Sequence, residues 1–119
     1  MSKRILIVDD NPNMSSLLAE MLEIFDYESI RAGDGVEALE KIAKEDFNLV
    51  ITDMRMPKMS GLDLLQKIKR EKPSLPVVVI SGYAVDEEGN SLLTSMADGF
   101  LNKPFKMSDI EKLLHDVAK

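Results

Sequence analysis

The sequence predicts an α/β protein with a doubly wound sheet of five parallel strands and helices on both faces. Apolar runs of strand length alternate along the whole chain with segments of helical spacing. The strongest runs are continuously apolar, as is typical of parallel strands that are covered on both faces. The alternation implies right-handed crossovers between successive strands. Because the chain has 119 residues and no repeat or linker-like segment, we expect one domain over residues 1–119.

Three of the strands are predicted by continuous apolar runs and two by weaker segments. The continuous runs are Ile5–Val8, Leu49–Ile51 and Val77–Ile80, of which two are rich in β-branched residues. The weaker strands are predicted at Tyr27–Arg31 and Gly99–Asn102. Each predicted strand is followed by a polar segment that can begin a helix.

The first two helices are predicted from capping residues followed by apolar spacing. Asn11 is a suitable N-cap, and Pro12 then occupies the first helical position. Asp34 and Glu37, three residues apart, resemble a capping box. The expected apolar faces are Leu17, Leu18, Met21, Leu22 and Phe25 in the first helix, and Val36, Leu39, Ile42 and Ala43 in the second.

Three further helices complete the alternation. The third ends before Pro73, and the last opens at Ser108 with Glu111 three residues later. The fourth, over residues 87–95, is the weakest prediction because Gly89 lies inside it. The expected apolar faces are Leu62, Leu64, Leu65 and Ile68 in the third helix, and Ile110, Leu113, Leu114 and Val117 in the last.

The composition excludes several classes of protein. With 15 basic and 21 acidic residues the formal charge is −6, which argues against binding of nucleic acid or anionic membranes. The chain has no cysteine, so disulfides and thiolate metal sites are excluded. No apolar run approaches the ~20 residues of a membrane span or the core of a signal peptide. We therefore expect a cytoplasmic protein.

Polar side chains follow four of the predicted strands. Asp9 and Asp10 follow the first, Asp53 the third, Ser81 the fourth and Lys103 the fifth. The carboxyl ends of parallel strands meet at one edge of the sheet, so these side chains should lie close together. Two carboxylates 4 Å apart repel by about 4 kcal/mol at an effective dielectric near 20. Three of them, without His or Cys, favour Mg²⁺, and the ammonium and hydroxyl groups suit a phosphate beside it.

These motifs carry a resemblance to a known family. The chain resembles the receiver (phosphoacceptor) domain of two-component response regulators and is similar to the chemotaxis response regulator. The matching segments, which together cover essentially the whole chain, are Ile5–Asn11, Asp53–Pro57 with Gly61 beyond it, the apolar run that ends at Ser81, and Phe100–Phe105. The resemblance implies a flavodoxin-like (βα)5 fold with strand order 2-1-3-4-5.

The resemblance also implies the acceptor and the metal ligands. Asp53 would accept a phosphoryl group from a phosphohistidine on a sensor kinase. Asp10, Asp53 and the backbone carbonyl of Arg55 would bind Mg²⁺ directly, and Asp9 would act through a water molecule. Phosphoryl transfer needs mainly positioning and charge neutralisation, which agrees with such a site.

Further roles follow from the same resemblance. Ser81 and Lys103 would hold the phosphoryl oxygens. Ser81 and Phe100 would be the switch residues, with Phe100 changing its rotamer on activation. Arg55 and Tyr83 occupy the positions that tune dephosphorylation in the family.

The implied function is a phosphorylation-dependent switch of a two-component phosphorelay. Its partners would be a sensor histidine kinase or phosphotransfer protein, and a downstream protein or fused effector domain. Phosphorylation would change the surface of the fourth helix, fifth strand and fifth helix, which also allows a phosphorylation-dependent homodimer. The domain would catalyse only its own phosphorylation and dephosphorylation, so it would not be an enzyme with a turnover substrate.

Three alternatives make different predictions. A nucleotide-binding domain needs a glycine-rich turn after the first strand, where this chain has Asp9 and Asp10. A phosphatase of the haloacid dehalogenase type resembles this site in its Asp nucleophile and Mg²⁺, but it has a second Asp where this chain has Arg55. A degenerate receiver that only binds a partner disagrees with the complete set of strand-end residues.

Overall fold

The computed structural model describes residues 3–54, 59–81, 96–102 and 105–117. Five parallel strands form one sheet in the order β2-β1-β3-β4-β5, and four helices lie in the described part of the chain. The predicted fold class and strand order are therefore confirmed, while the helix predicted over residues 87–95 lies outside the described residues. The elements are β1 (Lys3–Val8), α1 (Pro12–Ile24), β2 (Tyr27–Ala32), α2 (Gly35–Lys44), β3 (Leu49–Asp53), α3 (Gly61–Glu71), β4 (Val77–Ser81), β5 (Gly99–Asn102) and α4 (Met107–Val117).

The sheet is covered on both faces, as the continuous apolar runs predict. Alternate residues of β1 enter different cores because successive side chains of a strand point to opposite faces. Ile5 and Ile7 pack in the core that α1 and α4 cover. Leu6 and Val8 pack in the core that α2 and α3 cover. All four side chains are fully buried, so β1 is a central strand whose carboxyl end is held firmly in place.

The predicted apolar faces of the first two helices are confirmed in part. In α1 and at its C-cap, Leu18, Met21, Leu22 and Phe25 pack in the core as predicted, whereas Leu17 is 43% exposed. In α2, Leu39 and Ile42 pack in the core together with Ala38, whereas Val36 is 44% exposed. Both helices carry apolar residues on more than one side, so spacing alone does not determine which residues at the edge of the face reach the sheet.

Caps determine where the helices begin, and one predicted start is wrong. Asn11 Oδ1 accepts the N–H groups of Asn13 and Met14 at 3.0 and 3.4 Å, which confirms it as the N-cap of α1. The last helix does not open at Ser108, because α4 already includes Met107. Instead the Asp109 carboxylate accepts the N–H of Lys106 at 2.8 Å. This bond closes a first turn that begins at Met107, one residue before Ser108.

An ion pair fixes the residue that leads into β5. Asp98 Oδ2 accepts from the Lys69 ammonium at 2.6 Å and from the N–H of Val77 at 2.8 Å. The Asp98 N–H donates in turn to the Val77 carbonyl at 2.8 Å. Since Lys69 belongs to α3 and Val77 begins β4, these bonds join three elements at the start of the edge strand.

Asp26 offers a test of local backbone strain. It follows α1 and has φ 67°, the only positive φ among the non-glycine residues described. A left-handed residue after a helix is usually Gly, which has no Cβ to strain. We expect Asp26→Gly to raise the free energy of unfolding by about 0.5–1 kcal/mol and Asp26→Ala to lower it by a similar amount. Urea denaturation measures both, and an Ala variant as stable as the Gly variant would contradict the explanation.

A second prediction concerns pH and the start of β1. The Arg4 guanidinium donates to Glu45 Oε1 and lies 5.1 Å from the centre of the Phe47 ring. The hydrogen bond from Arg4 lowers the pKa of Glu45 below its ordinary value. The pair therefore stabilises the fold fully above the unfolded pKa, about 4.3, and this contribution is lost as the pH falls through the lower folded pKa.

We accordingly expect Glu45→Gln to melt below the wild type at neutral pH and the two Tm values to converge under acid conditions. The difference should be small because both side chains are substantially exposed. Thermal denaturation monitored by circular dichroism across acid pH checks this, with Glu111→Gln as the control for loss of an exposed carboxylate. A gap in Tm that is constant with pH would show that the ion pair is not its cause.

Candidate functional site

Three carboxylates meet at the carboxyl edge of the sheet. Asp9 and Asp10 directly follow β1, and Asp53 is the last residue of the neighbouring strand β3. One carboxylate oxygen from each residue lies within 4.8 Å of the others. Asp9 is buried, Asp53 is half-buried and Asp10 is exposed, so the cluster opens to solvent on one side. The parallel pairing of Val8 with Thr52 brings the two strand ends level.

The donor set fits Mg²⁺. The cluster consists only of carboxylate oxygens, which are the hard ligands that this ion prefers. Oxygens bound directly to one octahedral Mg²⁺ lie about 3 to 4 Å apart. The spacing of up to 4.8 Å allows two direct ligands with a third that acts through water, as predicted for Asp10, Asp53 and Asp9.

Backbone N–H groups orient two of the carboxylates. Asp9 Oδ1 accepts from the N–H of Asn11 at 2.9 Å, and the Asp9 N–H donates to the Ala32 carbonyl at 3.1 Å. Asp53 Oδ1 accepts from the N–H of Met54 at 2.9 Å. These bonds restrict the side-chain rotamers before any ion or phosphoryl group binds.

The other predicted site residues are described to different extents. Ser81 ends β4 beside β3 and pairs with Asn102 of β5, which brings its backbone to the same edge of the sheet. Phe100 lies in β5, paired with Val79 and partly buried against the core under α2 and α3. The side chain of Ser81, together with Arg55, Tyr83 and Lys103, lies outside the described residues. The roles assigned to these residues stay predictions.

Two residues contribute to the site in ways that the sequence did not specify. Thr52 is fully buried, and its hydroxyl donates to the Asp53 carbonyl at 3.0 Å. The signal for it was a hydroxyl residue inside an otherwise apolar strand, directly before Asp53. Met54 contributes through its backbone, which no side-chain pattern indicates.

Within the described ranges, none of the helices has the length and apolar character needed to cross a bilayer.

Comparison with known proteins identifies the family. A family model described as the response regulator receiver domain matches residues 5–115. Sensor histidine kinase RcsC from Escherichia coli (strain K12) is 37% identical over 110 residues, which is 92% of this chain and 12% of that protein. The alkaline phosphatase synthesis transcriptional regulatory protein PhoP from Bacillus subtilis (strain 168) is 34% identical over 112 residues, 92% of this chain and 46% of that protein. The chain thus spans less than half the length of these relatives.

Solved structures agree with this result. A response regulator receiver domain protein from Clostridium thermocellum has a TM-score of 0.89 at 28% identity, covering 98% of this chain and 94% of that one. The response regulator protein TrrA from Thermotoga maritima, in complex with Mg²⁺-BeF, has a TM-score of 0.87 at 33% identity, covering 97% and 98%. This chain belongs to the family of response regulator receiver domains.

Proposed function

We propose that this domain is a phosphorylation-dependent signalling switch whose phosphoacceptor is Asp53. The observation that carries the proposal is the meeting of Asp53 with Asp9 and Asp10 at the open carboxyl edge of the sheet. Asp53 is half-buried, so its carboxylate is held in place yet can be reached by a donor. Membership of the receiver family supports the same role.

In the proposed reaction an Asp53 carboxylate oxygen attacks the phosphorus of a phosphohistidine. The new O–P bond forms as the P–N bond breaks, and the electron pair leaves with the imidazole nitrogen, which takes up a proton. Mg²⁺, when bound, neutralises charge on the phosphoryl oxygens. Ser81 and Lys103 are proposed to hold those oxygens. The product is an acyl phosphate, and its hydrolysis by water releases inorganic phosphate and restores the carboxylate. We propose that these two steps, its own phosphorylation and dephosphorylation, are the only reactions that the domain catalyses.

The test is phosphorylation of the purified chain by acetyl phosphate with Mg²⁺. We expect intact mass spectrometry to show one added phosphoryl group, which hydroxylamine removes because it cleaves acyl phosphates. Omitting Mg²⁺ should greatly reduce the added mass. Sustained hydrolysis of a phosphomonoester would instead favour a phosphatase, and a hydroxylamine-resistant adduct would contradict an aspartyl phosphate.

The proposed partners follow from the same chemistry. The donor would be a sensor histidine kinase or a phosphotransfer protein that carries phosphohistidine. The output would go to a downstream protein or to a fused effector domain. The relatives include a sensor kinase and a transcriptional regulatory protein, both longer than this chain. We place the domain in the cytoplasm, and the net charge of −6 argues against direct contact with nucleic acid.

The output is proposed to pass through Ser81 and Phe100. Ser81 ends β4, whereas Phe100 lies on the neighbouring strand β5 at the edge of the sheet. Drawing Ser81 towards a phosphoryl group would reorganise the connection between these strands. The surface formed by the helix predicted over residues 87–95, by β5 and by the last helix, α4, would then change. That surface change is also the proposed basis of any phosphorylation-dependent homodimer.

We expect beryllofluoride with Mg²⁺ to change amide hydrogen exchange mainly in residues 82–106. The amides of α1 and α2 should change much less. In Ser81→Ala the ligand should still bind, but the change over residues 82–106 should be lost because the hydroxyl contact is missing. Exchange mass spectrometry measures both effects. Changes confined to the vicinity of Asp53 would contradict this output surface and leave the acceptor assignment standing.

A further inference from the structure

We infer that Gly61 is a positioning residue for the Asp53 carboxylate and acts on it through the Met54 peptide. Gly61 is the first residue of α3 and follows the N-cap Ser60. It contributes no side chain to the carboxylate cluster. This inference rests on the proposed function of Asp53 and adds a requirement for that function, namely that α3 begins directly against the backbone of the acceptor.

The approach of Gly61 to Asp53 leaves no room for a side chain. A Cβ at position 61 would lie 2.6 Å from the Asp53 carbonyl oxygen and 2.8 Å from the Met54 Cα, whereas real Cβ contacts below 3.0 Å essentially never occur. Both neighbours are backbone atoms, so they cannot rotate away as the end of a side chain can. Any Cβ must therefore displace the end of β3 or the start of α3.

The Met54 peptide links Gly61 to the carboxylate. The Gly61 N–H donates to the Met54 carbonyl at 2.9 Å. On its other side the Met54 N–H donates both to Asp53 Oδ1 at 2.9 Å and to the Ile80 carbonyl of β4 at 3.2 Å. The group that orients the acceptor carboxylate is thus itself held between α3 and β4. A shift of the Met54 peptide moves the donor that sets the Asp53 rotamer.

This arrangement should matter more for the site than for the fold. Metal and phosphoryl sites require their ligands within about 0.5 Å of the productive geometry. The contact of 2.6 Å must lengthen to at least 3.0 Å, so the displacement that it requires is close to this tolerance. Alanine is also a better helix former than glycine, so without the contact a Gly→Ala change at the start of α3 would not be expected to weaken the helix.

The test compares Gly61→Ala with Gly35→Ala by isothermal titration with Mg²⁺ alone. Gly35 is a matched control because it also begins a helix, and its Cβ would lie 2.7 Å from Met59 Sδ. There the near atoms all belong to the Met59 side chain, whose sulfur can rotate aside and leave a contact of 3.0 Å with the Met59 Cβ, and none is a backbone atom. We expect Gly61→Ala to raise the Kd for Mg²⁺ about 10-fold or more, as loss of outer-sphere support commonly does. Gly35→Ala should stay near the wild-type Kd.

A second readout is the rate of phosphorylation by acetyl phosphate at saturating Mg²⁺. We expect Gly61→Ala to lose up to about 100-fold, the scale that a misplacement near 1 Å produces. A purely structural role would lower Tm without changing the Kd or this rate, measured well below Tm. A wild-type Kd in Gly61→Ala, or an equal rise in Kd in both glycine variants, would overturn the inference.

If Gly61→Ala does not fold, nuclear magnetic resonance of the wild type decides the matter. The Gly61 amide resonance should shift on addition of Mg²⁺ with the same Kd as those of Asp53 and Met54, while that of Gly99 should not. A Gly61 amide resonance that does not shift when Mg²⁺ is added would overturn the inference. Failure of the proposed function is distinguishable, because then the wild type itself would show no labelling of Asp53.

Discussion

Asp53→Asn should abolish phosphorylation by acetyl phosphate or by a phosphorylated kinase. Asparagine has almost the same shape as aspartate, and its Oδ1 can still accept the N–H of Met54, as the carboxylate does at 2.9 Å. The fold should therefore be kept, and loss of one of three neighbouring like charges should leave it at least as stable. What is lost is the nucleophile, because a neutral carboxamide oxygen cannot form the acyl phosphate. Intact mass spectrometry should show no phosphoryl adduct.

Asp63→Asn provides the matched control for this experiment. Asp63 is an exposed aspartate in the first turn of α3, where the same loss of a carboxylate does not touch the cluster. We expect it to be labelled like the wild type. Labelling of Asp53→Asn at the wild-type level would mean that another residue is the acceptor. Peptide mapping after reduction of the acyl phosphate with borohydride would then identify that residue.

The strands show how far apolar pattern predicts this fold. The run Ile5–Val8 predicted the buried part of β1, but the strand begins at Lys3, because Lys3 and Arg4 pair with the polar start of β2. Polar residues at the amino edge can join the ladder since hydrogen bonds, not burial, hold them there. The range Gly99–Asn102 was predicted with its observed bounds. The apolar pattern identifies the buried residues of a strand, but it misses the residues that belong to the strand only because they pair with a neighbouring strand.

The cap of α2 shows what the spacing of residues along the chain cannot predict. Asp34 caps α2 as predicted by accepting the N–H of Glu37 at 2.8 Å. Glu37 Oε1 accepts the N–H of Gly33 at 2.7 Å, one residue before the N–H that a capping box uses. Spacing reveals that two side chains can meet, but the path of the preceding loop decides which N–H is within reach.

The site was predictable to the extent that it follows from topology. Asp9, Asp10 and Asp53 were brought together by a single rule, namely that parallel strands end at the same edge of the sheet. The support around them was not predictable in this way. The hydrogen bonds of Met54 and the close approach of Gly61 involve backbone atoms. Residue type predicts such contacts only weakly.

The second large effect that we expect concerns the rise in stability of the domain when Mg²⁺ binds to the carboxylate cluster. An ion that binds only the folded chain stabilises it by about 2.7 kcal/mol at 100 times its Kd. For a domain of this size that corresponds to a rise in Tm of about 10 °C. In Asp10→Ala we expect most of this rise to disappear, because the variant loses a predicted direct ligand on the exposed side of the cluster.

Without metal, Asp10→Ala should be as stable as the wild type or more stable, since one of three mutually repelling charges has been removed. The two effects therefore have opposite signs, which separates a ligand from a merely structural aspartate. Differential scanning fluorimetry with and without Mg²⁺ measures both, and CaCl₂ tests selectivity for the smaller ion. Asp116→Ala, an exposed aspartate on α4, is the control and should keep the full response. A wild-type shift in Asp10→Ala would place the bound Mg²⁺ elsewhere on the domain.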